Sequence, residues 1–208
     1  MVPFKAVLVT LGAGVASLGA YGIYRYRDLS DSKTENIGTR LVREKFELLK
    51  DLHTEQWKNS LSKYNSKTSA NVDENRLKGI CKDLIAKNTS SESDYKTARL
   101  YCVVPRNVQE RLKDLGFHSL KTTGDNEDGD KSKWTKLAES YVTHGKGDNQ
   151  IESLTLPASG GDSNNWSSLR QNCKTILEKE HWDDKFETYF LKSKMWYTEE
   201  AFSGIKPQ

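Results

Sequence analysis

The sequence predicts a mainly α protein: an N-terminal transmembrane helix followed by a helical domain made of two duplicated helical-hairpin units. Three observations predict it. Sixteen of the first 24 residues are apolar, and Ala6 to Tyr24 carries no charge. Beyond that segment, apolar side chains recur at three- and four-residue spacing. Finally, the stretch from Leu77 to Lys87 resembles the stretch from Leu169 to Lys179. The expected organisation is 1–27 membrane anchor or signal segment, 28–120 first helical unit, 121–132 polar loop, and 133–208 second helical unit with a mobile loop at 145–165.

Residues 6–24 are the first element. As a helix they would span about 28 Å, close to the ~30 Å hydrocarbon core of a bilayer. Lys5 flanks one end, and Arg25 and Arg27 flank the other. Tyr21, Tyr24 and Tyr26 cluster where amphipathic rings favour the interface. The apolar run is longer than a usual signal-peptide core, so an uncleaved anchor is favoured over a cleaved leader. Gly12, Ala16 and Ala20 stand at i, i+4 and i+8, a small-residue ridge that would let membrane helices approach. Common Gly and Ala usage in such segments explains the ridge equally well. Basic residues after the segment favour a cytoplasmic C-terminal region, whereas the signal-like N-terminus favours export.

Val42, Phe46, Leu49, His53, Trp57, Leu61 and Tyr64 keep a helical spacing, which predicts one helix over 40–64 with Thr39 as its N-cap. Leu77, Cys81 and Leu84 mark the second helix. Tyr95, Ala98 and Cys102 mark a third, stopped by Pro105. Asn107 and Glu110 have capping-box spacing, with Gly116 as the stop. Trp134 to Tyr141, Trp166 to Leu177 and Trp182 to Trp196 supply three more. Thr122–Ser132 and Gly145–Asn165 are rich in Gly, Asp, Asn and Ser and read as mobile. Ile151, Leu154 and Leu156 suggest a short strand inside the second of these.

The internal similarity aligns Cys81-Lys82 with Cys173-Lys174. With a slip of two residues, Tyr95 pairs with Tyr189, and Tyr101-Cys102 with Met195-Trp196. Trp57 and Trp134 each open the preceding helix. Cys81 and Cys102 therefore sit on adjacent helices. In an oxidising compartment they would bond and close a loop of about 20 residues, worth ~3 kcal/mol. In a reducing one, all three cysteines would be buried thiols. Three cysteines without a CxxC give no zinc-site spacing.

Charge and motif exclude several classes. The 32 Lys and Arg against 29 Asp and Glu are mixed along the chain, so no basic stripe offers itself to nucleic acid. Phosphate-cradle, zinc-protease and nucleophile-elbow motifs are absent. Asp125 to Asp130 looks calcium-like, but its Gly and its twelfth residue, Lys136, do not fit an EF-hand. His53, His118, His144 and His181 are scattered. No catalytic residue, metal ligand or cofactor is expected, and the five Trp are read first as core anchors.

The order of these features carries a resemblance. It comprises the Gly/Ala-rich apolar start, the polar Trp helices, Cys81-Lys82, and Leu100-Tyr101-Cys102-Val103-Val104-Pro105 followed by Val108 to Leu112. Over nearly the whole chain it resembles the paralogous families of short uncharacterised membrane and surface proteins of haemotropic mycoplasmas. Those families often pair Trp with Cys; Ile80-Cys81 and Met195-Trp196 depart from that. The resemblance implies a single-pass cell-membrane protein, anchored by residues 6–24, with an extracellular C-terminal region and a variable-antigen or host-binding role. The alternatives are a cytoplasmic-facing tethered scaffold and, third, an enzyme without a recognisable motif.

Overall fold

The computed structural model describes residues 35–124, 129–157 and 164–205. The predicted anchor at 6–24 and its ridge of Gly12, Ala16 and Ala20 lie outside the described residues. Among the described residues no helix is long and apolar enough to cross a membrane. These residues form helices and loops, and their only β-pairing is isolated bridges.

The chain begins with α1 (Ile37–Arg43), capped by the Asn36 side chain, which accepts from the Thr39 N–H at 2.8 Å. Asn36, not Thr39, is therefore the N-cap. The helix expected over 40–64 breaks after Arg43 and resumes as α2 (Thr54–Thr68). Lys45 adopts the left-handed region at φ 64°, and Phe46 N–H turns back to Leu41 O at 2.9 Å. That is a Schellman stop without its usual glycine. Val42 and Leu52, which helical spacing alone cannot distinguish from core positions, are 56% and 76% exposed. Then follow α3 (Glu74–Ala86) and α4 (Glu92–Tyr101). Ile37, Leu41, Trp57, Leu77, Cys81 and Ala98 belong to one core.

A second core begins with α5 (Val108–Asp114) and continues through α6 (Lys131–His144), α7 (Asn165–Leu177), α8 (Phe186–Trp196) and α9 (Glu199–Ser203). The capping box of Asn107 and Glu110 starts α5, and Gly116 at φ 81° ends it. Val108 and Leu112 pack into this second core, although they precede the boundary expected at residue 120. The last long helix starts at Phe186; Trp182 precedes it in a turn.

No strand forms at 151–156. Ser153 takes φ 62°, and Leu154 N–H closes a turn on Ile151 O at 3.1 Å. The Tyr141 hydroxyl holds that turn: it accepts from Ile151 N–H and donates to Leu154 O. Ile151, Leu154 and Leu156 are all buried. These three side chains pack on the second core, because they gain more by burial than by solvation; residues 158–163 of the expected mobile loop at 145–165 lie outside the described residues.

The two cores share one backbone pattern. Ile37 N–H donates to Lys87 O, and Val108 N–H donates to Lys179 O. Leu49 N–H donates to Cys102 O, and Leu120 N–H to Tyr197 O. Val104 N–H meets Glu47 O, and Glu199 N–H meets His118 O. Trp57 and Trp134 each donate their indole N–H to a preceding loop carbonyl, Lys50 O and Lys121 O. The short-helix side shifts by 71 residues (37 to 108, 49 to 120), and the end of the fourth helix by 95 (102 to 197). Cys102 therefore corresponds to Tyr197, not to Trp196, and Tyr95 corresponds to Phe190, not to Tyr189. The two-residue slip was one residue short.

Candidate functional site

Cys81 lies on α3 and Cys102 caps α4. They form a disulfide with Cα atoms 5.4 Å apart, and both are buried. Cys173, at the Cys81-equivalent place on α7, is free and fully buried. Burial pushes its thiol pKa well up, which makes it a poor nucleophile.

A cleft of about 470 Å³ is lined by side chains of both cores. Its apolar lining is Phe46, Tyr95, Leu115, Phe186 and Phe190. Tyr95 of α4 and Phe190 of α8 are equivalent residues, as are Glu44 and Leu115 at the ends of α1 and α5. Glu44, Glu92, Lys96, Arg99 and Glu187 add charge around these rings.

Most of these charges are satisfied. Arg40 donates to Glu44 at 3.0 Å and to Glu92 at 3.2 Å, and its guanidinium lies 3.6 Å from the centre of the Tyr95 ring. The Tyr95 hydroxyl donates to Glu44; burial and that bond raise the phenol pKa. Arg99 pairs with Glu187. Exposed Lys96 has no ion-pair partner among the described residues.

Arg111 is different. It sits one helical turn inside α5, on the face that buries Val108 and Leu112, and is only 7% exposed. Its guanidinium donates to Lys45 O at 2.8 Å and Glu44 O at 2.6 Å, and stacks 3.7 Å from the centre of the Phe46 ring. These bonds tie α5 to the stop of α1. No carboxylate of the described residues pairs with Arg111 directly. Burial lowers its pKa, opposed by the more distant Asp114, Glu187, Tyr95 and Glu44.

Near the cleft, His181 Nε2 and Trp182 Nε1 both donate to Leu100 O, at 2.8 and 2.9 Å. Burial pushes the His181 pKa down to about 4, so the ring is neutral and joins the cores by hydrogen bonding. Two other histidines make local contacts. His53 Nδ1 accepts from Lys50 N–H in front of α2, and His118 pairs with Glu200. Among the described residues no three His, Cys, Asp or Glu side chains are placed to hold a metal. Sequence reasoning missed the cleft. Its one legible signal was a charged residue, Arg111, on the apolar stripe of α5.

No family model, curated protein or solved structure matches this chain.

Proposed function

We propose that this is a membrane-anchored, non-enzymatic surface protein, held by residues 6–24, whose helical domain is displayed outside the cell and binds host or cell-surface molecules through the cleft. The buried Cys81–Cys102 disulfide is the observation that carries the reading, because such bridges persist in oxidising surroundings. The charge-free N-terminal segment supplies the anchor. The resemblance to mycoplasma surface families supports the same placement and a variable-antigen role. We also read the two cores as copies of one duplicated helical unit, since their backbone pairings, the Asn36 and Asn107 caps of their first helices and their Trp hydrogen bonds recur in the same order.

Protease treatment of intact cells bearing a C-terminal tag tests display. Loss of the tag before lysis is the expected result. Survival of the tag until lysis, with cleavage afterwards, would overturn it. The basic flank at Arg25 and Arg27 favours a second reading, a tethered cytoplasmic scaffold. That reading requires reduced Cys81 and Cys102, detectable by thiol alkylation of freshly lysed cells.

A further inference from the structure

We propose that the cleft takes a single carboxylate borne on an aromatic or branched aliphatic body, and that Arg111 is the carboxylate's anchor. The inference rests on reading the cleft as the binding site.

A guanidinium has five N–H donors. The two backbone carbonyls engage one hydrogen on each terminal nitrogen of Arg111, leaving three donors without an assigned protein acceptor. Both acceptors are neutral carbonyls at the end of α1, so they stabilise the guanidinium through their dipoles but leave its full charge un-neutralised. A buried guanidinium ordinarily has a carboxylate against it, because an uncompensated buried charge is costly. The cleft carboxylates are already engaged elsewhere: Glu44 by Arg40 and Tyr95, Glu92 by Arg40, Glu187 by Arg99. Arg111 and Lys96 are left as the cations to which an incoming anion would be attracted. Phe186 and Phe190 offer an apolar wall for the body of such a ligand. The cleft volume falls within the range of small-molecule sites.

The test is calorimetric titration of the full chain in nanodiscs of zwitterionic lipid. The probes are 3-phenylpropionate, its uncharged amide and acetate. The acid is expected to bind roughly tenfold or more tightly than the amide, as a charge-assisted hydrogen bond implies. It should also bind more tightly than acetate, which lacks the apolar body. Arg111→Met should abolish the preference for the acid, and Lys96→Gln should weaken it severalfold. Arg111 also ties α5 to α1, so the fold of Arg111→Met is checked by circular dichroism. If that variant does not fold, Arg111→Lys, which keeps the charge and loses the fork, takes its place and should weaken the acid severalfold. Equal affinity for acid and amide, absence of binding by the acid, or unchanged acid binding in the folded Arg111 variant would each overturn the proposal. The protease experiment on intact cells is independent of all these outcomes.

Discussion

The two cores use one backbone pattern and two ways of locking it. In the first, the middle of α3 and the end of α4 are joined covalently by Cys81 and Cys102. In the second, α7 carries Cys173, but the Cys102 place belongs to Tyr197. That side chain is fully buried, and its hydroxyl donates to Asn172 of α7 at 2.7 Å. Burial raises the Tyr197 pKa, and nearby Cys173 adds to the rise. A large ring tied by one hydrogen bond thus stands where the first core has a two-sulfur bridge. The second core also has more to bury, including Trp134, Trp196, Ile151, Leu154 and Leu156. The difference teaches that one helix pair can be linked by two chemistries, a disulfide or a buried ring with one hydrogen bond.

The largest expected effect comes from removing the second lock. Tyr197→Ala should cost about 3–5 kcal/mol, as for other large aromatic truncations, measured by denaturant unfolding. A loss under about 1 kcal/mol would mean that Tyr197 does not link α7 to α8. Next is Cys81→Ser with Cys102→Ser, which should cost about 3 kcal/mol through the freed loop. Reductant should then lower the stability of the parent protein and leave the double variant unchanged.

Acid probes the junction of the cores. His181 has a folded pKa of about 4 against an ordinary 6.5. Between those values the unfolded chain binds the proton and the folded one does not, so stability falls as pH drops through this window. The full difference is about 3 kcal/mol, complete below pH about 4. His181→Gln should flatten that part of the curve; an unchanged slope would remove His181 from the explanation. The smallest effect concerns the stop of α1. Gly116 occupies the left-handed turn after α5, whereas Lys45 occupies its counterpart after α1. Lys45→Gly should stabilise the protein by up to about 1 kcal/mol, seen as a modest rise in Tm.

Helices α3 to α7 were legible because their apolar stripes are local features, as are the Asn107–Glu110 capping box and Gly116 stop of α5. The break between α1 and α2 was not. A lysine makes its left-handed stop, and Val42 and His53 keep the helical spacing by chance. The strand expected at Ile151–Leu156 failed because burial of three apolar residues depends on Tyr141, a partner outside the segment. The shared pattern was legible at Cys81 and Cys173, but its register needed the backbone pairings that place Cys102 against Tyr197. The cleft was hidden for a similar reason: Glu44 and Phe190 become neighbours only through the packing of two cores.

Hydrogen exchange of the full chain, with and without reductant, tests most directly whether the two cores are alike in pattern and separately locked. Reduction should speed exchange of the core amides of α3 and α4 while those of α7 and α8 keep their protection. Equal loss of protection in both pairs, or no change in either, would contradict the two-lock account.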